Sequence, residues 1–307
     1  MCSNPRAMRS ALFTFSALLV LGCAATDDDT GKGTGGLGGA GAVGVDAGTG
    51  GVAGAGGSAG VDAGGGSAGA DAGGSAGAEA GGAGGSTPCP SGKGPTMVSV
   101  GGYCIDSTEV TNAQYAEFLD QSPETSGQPA ACAFNSSFVP SSSWPNAAQP
   151  NRPVVYVDWC DAYAYCLWAG KRLCGKIGGG ANAYADVSDP FKSQWMGACS
   201  SSGFKKYPYG NVYAPATCNG VDYAAGHALD AGELEGCEGG TPGIFDMSGN
   251  VWEWEDSCQT DSGAQDQCRV RGGSYWFNGE TDLTCENPNA NDRDTKNDIY
   301  GFRCCAP

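Results

Sequence analysis

Histidine is almost absent from this sequence of 307 residues, in which His227 is the only one. A single imidazole excludes an iron centre with two or three histidine ligands built within the chain. Cysteines separated by two residues are also missing, although the sequence has 16 cysteines. Structural zinc sites are typically built from such close pairs, often together with histidine. The cysteines are therefore expected to form disulfide bonds rather than to bind zinc.

Positive charge is scarce. The chain has 16 lysines and arginines against 33 aspartates and glutamates, which gives a formal net charge of −17. Residues 88–307 alone carry 13 basic and 26 acidic side chains. A surface of this sign repels the phosphates of nucleic acids and disfavours them as partners. We therefore expect no nucleic-acid ligand.

Long hydrophobic runs are missing as well. The run nearest the start, residues 11–21, is shorter than the roughly 20 residues that a membrane-spanning helix needs. Arg6 and Arg9 precede it, and Gly22 and Cys23 follow it. A basic start, a short apolar core and a small residue at the cut are typical of a secretory signal. Residues 1–22 are thus predicted to be a signal peptide.

Cys23 directly follows the small residue, which is the arrangement of bacterial lipoprotein signals. We expect Cys23 to be lipidated, the alternative being an ordinary signal peptide with an incidental cysteine. Ala24 is not the aspartate that often retains lipoproteins at the inner membrane, so we expect an exported protein anchored in the outer membrane.

Two further regions follow along the chain. Residues 23–87 are almost entirely Gly, Ala and Ser, which cannot bury enough apolar surface to offset the entropy of ordering, and they are predicted to be a disordered tether. Residues 88–307 have the composition of one globular domain and contain 14 cysteines. An even number of cysteines in an exported domain predicts at most seven disulfide bonds.

Three helices are predicted in this domain. The first covers residues 111–119, where Thr111 and Gln114 have the spacing of a capping box. The second starts after Asp158 and ends before Gly170, and the third begins near Pro190 and reaches residue 199. Elsewhere short apolar segments alternate with Gly, Asn, Pro and Asp, which predicts turns and little regular strand.

Several segments, read in order, resemble the formylglycine-generating, or sulfatase-modifying factor, family. They are YCIDSTEVTNAQY at 103–115, PVVYVDWCDAYAYCLWAGKRL at 153–173, YPYGN at 207–211, GIFDMSGNVWEW at 243–254, RVRGGSY at 269–275 and GFRC at 301–304. The resemblance implies an α+β fold related to C-type lectins, with little regular secondary structure and several disulfide bonds. It also implies disulfides from Cys166 to Cys304 and from Cys199 to Cys285.

Catalytic members of the family bind copper(I) through two cysteines that follow the serine matching Ser274. In this sequence Phe277 and Asp282 stand at the matching positions, and neither side chain suits copper(I). The resemblance therefore favours a non-catalytic binding or structural module without copper, with a cleft beside Ser274, Tyr275 and Trp276 for a peptide or a glycan. Two alternatives are a formylglycine-generating oxidoreductase that acts on a sulfatase cysteine, and a partner subunit of a neighbouring enzyme.

The resemblance also implies a structural calcium ion, held by the residues that match Asn250, Val251, Glu253 and Glu255. Hard oxygen donors of this kind suit calcium, which takes six to eight ligands. The alternative is a purely structural turn around buried tryptophans. A second calcium site of the family would include Asn219 and Gly220, and the sequence leaves that site open.

Overall fold

The structure is a computed structural model that describes residues 88–277 and 279–307. The predicted signal peptide at 1–22, the lipidation site at Cys23 and the tether at 23–87 lie outside the described residues. Among the described helices, none is both long and apolar enough to cross a membrane.

The two longer helices begin where the sequence predicts. Helix α1 (Asn112–Leu119) is capped by Thr111, whose hydroxyl accepts from the Gln114 amide while the Gln114 side chain accepts from the Thr111 amide. Helix α2 (Trp159–Trp168) has the same reciprocal arrangement between Asp158 and Asp161. These capping boxes satisfy amide groups that would otherwise have no partner at the helix start.

Helix α3 (Gln194–Cys199) starts later than predicted. Pro190 does not open it, because the Asp189 side chain accepts from the Phe191 amide and holds the preceding residues in a turn. The helix is capped instead by Ser193, whose hydroxyl accepts from the Met196 amide at 3.1 Å. The start predicted at Pro190 is therefore wrong, and the end at Cys199 is right.

Eight short strands form two four-stranded sheets. One sheet has the order β1-β2-β8-β3 and the other the order β6-β5-β4-β7, in which β4 and β7 are the parallel pair. Most other described residues lie in turns and irregular segments. The strands are β1 (Met97–Val100), β2 (Tyr103–Asp106), β3 (Arg172–Leu173), β4 (Trp252–Cys258), β5 (Gln267–Arg271), β6 (Ala290–Asp292), β7 (Tyr300–Gly301) and β8 (Cys304–Ala306).

Two apolar cores stabilise these elements. In the larger core α1 packs on α2 through an aromatic cluster, in which the Tyr115 and Tyr165 rings stack at 5.5 Å and Phe302 meets both edge-on. The smaller core surrounds Trp195 of α3, which is fully buried. Edge-on and offset ring pairs add to the hydrophobic gain of burial. The predicted α+β fold with little regular structure is confirmed.

Seven disulfide bonds connect the described part of the chain. Both pairs implied by the resemblance are present, with Cα–Cα distances of 5.6 Å for Cys166–Cys304 and 5.7 Å for Cys199–Cys285. They close loops of 138 and 86 residues, and chain-entropy models assign each about 4–5 kcal/mol of stability. The remaining pairs are Cys89–Cys104, Cys132–Cys160, Cys174–Cys305, Cys218–Cys237 and Cys258–Cys268.

Candidate functional site

The Glu253 carboxylate, on strand β4, lies at the centre of the predicted calcium site. Its two oxygens accept from Arg303 at 2.7 Å each, and one of them also accepts from the Trp195 indole at 2.8 Å. All three side chains are fully buried. A bidentate pair between guanidinium and carboxylate is among the strongest ionic hydrogen bonds in proteins. The pair between Glu253 and Arg303 links β4 to the residue that precedes β8.

Asn250 makes a second set of buried contacts just before β4. Its carbonyl oxygen accepts from the Asn219 side chain at 3.0 Å and from the Leu229 amide at 2.9 Å. Its amide group donates to Glu109 at 3.0 Å. Asn250 has a φ of 59°, a left-handed conformation that asparagine tolerates better than most residues. The side chain therefore connects three segments that are distant in sequence.

Glu255 and Val251 complete the set of residues named from the resemblance. One Glu255 oxygen accepts from the Ser193 hydroxyl at 2.6 Å, and the other lies 3.6 Å from Arg271. Burial raises the pKa of Glu255, and the charge of Arg271 opposes that rise. Val251 is fully buried, and its side chain lies against Gly301 of β7. The structure thus brings these residues into one region, but their side chains point to different partners.

The donor atoms, as they stand here, do not fit a calcium ion. The Glu253 oxygens are bound by Arg303 and Trp195, and the Asn250 oxygen already has two donors. Within residues 88–277 and 279–307, no group of three or more His, Cys, Asp or Glu side chains is placed to hold a metal. Calcium binding stays a prediction that only measurement can test. The second site also stays open, with the Asn219 side-chain oxygen buried and without a hydrogen-bond partner.

Two further buried acids surround Arg303, and the sequence analysis missed both. Burial raises the pKa of Asp246 to about 6, against the opposing effects of the Gly232 amide and Arg303. Burial and the charge of Asp246 raise the pKa of Glu109 well above its ordinary value. Both acids lie inside the family segments, and only Asp246 has apolar neighbours on both sides in the sequence.

The positions that carry the copper ligands in catalytic relatives have other contacts here. Phe277 packs edge-on against Trp252, with ring centroids 5.4 Å apart. Its carbonyl accepts from the Val221 amide at 3.1 Å. The Asp282 carbonyl accepts from the Asn287 side chain at 3.1 Å. A phenyl ring and a carboxylate do not supply the soft ligands that copper(I) prefers, so these residues do not fit the metal.

No free thiol exists in the described part of the chain, because all 14 of its cysteines are disulfide-bonded. The thiolate is the form of cysteine that binds metals and attacks substrates. A disulfide sulfur cannot supply it without first being reduced. Neither a cysteine nucleophile nor a thiolate metal site can form here while these bonds are intact.

The three residues predicted to line a cleft present an exposed aromatic edge. Trp276 is 67% exposed and meets the Tyr275 ring edge-on at 6.3 Å. The Tyr275 hydroxyl donates to Asp298 at 3.1 Å, and burial followed by the Asp298 charge raises the pKa of Tyr275 to about 12. Ser274 is buried, and its hydroxyl accepts from the Trp276 amide at 3.4 Å. The serine therefore supports the loop, while the Trp276 ring is exposed to solvent.

More apolar surface adjoins this edge. Val221, whose amide is bonded to the Phe277 carbonyl, is 46% exposed. Tyr213 lies so close to Gly279 that any side chain at Gly279 would collide with its ring. Val212, which directly precedes Tyr213, is 80% exposed. Contiguous exposed apolar side chains mark interaction sites more often than isolated ones do.

The fold and the site define a disulfide-braced α+β domain that carries the motifs of formylglycine-generating proteins but no free thiol in its described part. The chain belongs to the sulfatase-modifying factor family. The family model described as the sulfatase-modifying factor enzyme 1-like domain matches residues 64–306. The match starts within the region predicted to be the tether.

Curated relatives include proteins named as active and as inactive. The chain is 30% identical over 269 residues to the inactive C-alpha-formylglycine-generating enzyme 2 of Mus musculus, covering 70% of this chain and 79% of that protein. It is 26% identical over 273 residues to the formylglycine-generating enzyme of the same species, covering 68% and 67%. With the formylglycine-generating enzyme of Thermomonospora curvata it shares 34% identity over 119 residues, about a third of each chain.

Solved structures with a related fold were also found. Treponema denticola variable protein 1 has a TM-score of 0.43 and 19% identity, over 66% of this chain and 84% of that one. PvdO from Pseudomonas aeruginosa has a TM-score of 0.43 and 20% identity, over 66% and 80%.

Proposed function

We propose that this chain is a non-catalytic binding module of the formylglycine-generating type, displayed on a lipid-anchored tether in the cell envelope. The observation that carries the proposal is the pairing of every cysteine in the described part of the chain. Copper(I) chemistry needs two thiolates, and Phe277 and Asp282 cannot replace them. A domain can keep its fold after its site has lost the chemistry.

The ligand of this module is a peptide or a glycan bound beside Ser274, Tyr275 and Trp276. The exposed Trp276 ring offers an apolar surface for a flat sugar face or an aliphatic side chain. Asp298, bonded to the Tyr275 hydroxyl, offers a carboxylate to a hydroxyl or amide group of the same ligand. A few polar groups placed beside apolar surface are typical of ligand sites.

Display in the envelope is supported by the disulfide content, because disulfides persist in oxidising compartments outside the cytoplasm. Lipidation of Cys23 and anchoring in the outer membrane complete this part of the proposal. A tether of the composition of residues 24–87 has a reach of about 45 Å. That length would let the folded domain extend away from the membrane surface while Cys23 stays anchored in the membrane.

The relatives are named both as active and as inactive, so relatedness alone does not decide between catalysis and binding. The residues Phe277 and Asp282 favour a binding role over catalysis. The alternatives are an oxidoreductase acting on a sulfatase cysteine and a partner subunit of a neighbouring enzyme. The oxidoreductase would require a free thiol that the described residues do not supply.

The test is mass spectrometry of a cysteine-containing sulfatase-type peptide, incubated with the copper-treated protein, oxygen and a thiol reductant too weak to open the disulfides. An active formylglycine-generating enzyme serves as the positive control. We expect the peptide mass to stay unchanged. An oxygen-dependent decrease to the mass of the formylglycine product, in which CHO replaces CH₂SH, would show that the chain is an enzyme.

A further inference from the structure

Two phenylalanines outside the predicted cleft have the most exposed aromatic side chains of the described chain. Phe191 is 74% exposed and Phe204 is 80% exposed. Pro190 directly precedes Phe191, and Gly203 directly precedes Phe204. Pro190 and Gly203 lie close together, because a Cβ atom added to Gly203 would be 3.0 Å from the Pro190 ring. Neither phenylalanine packs into the two cores. Two large apolar groups left in water on neighbouring segments indicate a contact surface.

Lysines accompany both phenylalanines, although acidic residues outnumber basic ones two to one in residues 88–307. Lys192 directly follows Phe191, and Lys206 lies two residues after Phe204. Lys176 joins them, because its neighbour Ile177 donates its amide to the Lys192 carbonyl at 2.7 Å. We call the surface formed by these three lysines and two phenylalanines the basic aromatic face.

Nearby acids neutralise only part of this charge. Lys192 pairs with Asp186 at 2.9 Å and with Asp189 at 3.6 Å, yet its side chain stays 49% exposed. Lys176 and Lys206 are exposed, and Lys206 lies over the Tyr207 ring at 5.3 Å. Two lysines of the basic aromatic face therefore have no acidic partner among the described ion pairs.

Beside Phe191 lies a cavity of about 390 Å³. Apolar residues line part of it, including Ile177 and Phe191, and hydroxyl groups of Ser201 and Ser202 line another part. Such hydroxyls are suited to hydrogen bonds with the glycerol and phosphate oxygens of a lipid headgroup. The apolar side chains that line the same cavity are suited to contact the part of the acyl chains nearest the headgroups.

We propose that the basic aromatic face docks on a membrane surface that contains anionic phospholipid. Aromatic rings favour the boundary between headgroups and acyl chains, and lysines favour anionic headgroups. The acidic remainder of the domain would be repelled by the same surface, so docking would also orient the domain. The proposal rests on the envelope location given under the proposed function, and on no property of the cleft.

The experiment measures the partitioning of the full chain onto vesicles by cosedimentation. Every variant also carries Cys23→Ser, which removes acylation, and every variant shares residues 1–87, so any binding through that region is common to all. Vesicles of phosphatidylethanolamine with phosphatidylglycerol are compared with vesicles of phosphatidylcholine. Acylation of Cys23 is measured separately, by the mass of the mature wild-type protein, so failure of the anchor and failure of docking are distinguishable.

We expect the double variant Phe191→Ser/Phe204→Ser to bind the anionic vesicles about tenfold more weakly than its parent, because two apolar side chains no longer enter the interface. Lys176→Gln/Lys206→Gln should also lose about tenfold or more, because one lysine near an anionic surface contributes about fivefold. This loss should shrink at high salt. Binding to phosphatidylcholine should be weak for all variants.

The matched control is Val139→Ser/Leu167→Ser, which removes two apolar side chains that are 48% and 52% exposed elsewhere on the surface. We expect it to bind like the parent. The proposal is overturned if the phenylalanine variant binds within about twofold of the parent, or if the control loses as much. It is also overturned if sedimentation velocity shows a dimer that the phenylalanine variant abolishes, which would identify the face as a contact between two copies.

Discussion

Phe277, at a position where the family resemblance predicts a copper-binding thiol, contributes packing. Phe277 lies against Trp252, and its carbonyl holds the Val221 segment. Glu253 is a second example. The sequence predicts that its carboxylate binds calcium, whereas in the structure the carboxylate accepts hydrogen bonds from Arg303. At the scale of single residues, both side chains therefore stabilise the fold.

Replacing Glu253 with Gln should strongly destabilise the fold. The substitution removes the charged partner that is hydrogen-bonded to the fully buried Arg303, and breaking a buried ion pair by removing one partner costs about 3–5 kcal/mol. Denaturant unfolding with the disulfides intact measures this loss. Glu286→Gln, which removes the same charge at an exposed position, is the control and should change stability by less than about 0.5 kcal/mol. Equal stability of the two variants would contradict the role given to the pair.

The same two variants test calcium. An ion that binds only the folded state raises the melting temperature as its concentration rises. With Glu253 held by Arg303, we expect calcium and chelator to leave the wild-type melting temperature unchanged. A rise that is lost in Glu253→Gln and kept in Glu286→Gln would instead support the calcium site that the sequence indicates.

The sequence indicates part of this site and not the rest. Asn250 and Glu253 are neighbours in one motif, so their proximity could be predicted. Arg303 lies 50 residues from Glu253, and Glu109 lies 141 residues from Asn250. Which charged groups meet across such distances depends on how the two sheets pack, and no local pattern encodes that.

Among the elements, helices with a reciprocal cap were predicted well, and the helix without one was not. Helices α1 and α2 have caps that are visible in the sequence as two polar residues three positions apart. For α3, Asp189 and Pro190 form an equally plausible start, and the structure uses Ser193. Ser193 is preferred because its hydroxyl serves two partners, the Met196 amide and the buried Glu255 carboxylate, and the second partner is 62 residues away in the sequence.

Substituting the capping residues of α3 and α1 tests whether Ser193 has this double role. Ser193→Ala should cost about 2–3 kcal/mol, because it removes a helix cap and also leaves a buried carboxylate oxygen without its donor. Thr111→Ala is the matched control. It removes the hydroxyl cap of α1, which has no carboxylate partner, and should cost about 1 kcal/mol. Free energies of unfolding in denaturant provide the comparison, and a cost for Ser193→Ala no greater than that for Thr111→Ala would refute the double role.

At the scale of the whole molecule, the domain buries several acids in a compact disulfide-linked fold. Burial raises the pKa values of Asp106, Asp246 and Asp256 to about 6 each. Burial and the neighbouring Asp158 charge raise the pKa of Asp161 to about 7, against the opposing charge of Lys296. These groups bind protons more tightly when the chain is folded than when it is unfolded, where an aspartate has a pKa of about 3.9.

The consequence is a fold that weakens as the solution becomes less acidic. A raised native pKa contributes stability that is fully present below the unfolded value near 3.9 and is lost as pH rises through the native value. The unfolded value near 3.9 and the native values given above place most of this loss between about pH 4 and pH 7. We therefore expect the melting temperature to be higher at about pH 5 than at about pH 8, and one kcal/mol corresponds to about 2–4 °C in a domain of this size.

Asp161 provides the most specific test, because its pKa of about 7 is higher than the pKa values of Asp106, Asp246 and Asp256. Asp161→Asn keeps a side-chain oxygen to accept from Asn135 or from the Asp158 amide but cannot titrate. The variant should therefore lose less melting temperature than the wild type between about pH 5 and pH 8. Asp294→Asn, at an exposed position, is the control and should follow the wild-type curve. Parallel curves for all three proteins would show that Asp161 is already ionised across this range, and that Lys296 outweighs the burial of its carboxyl group.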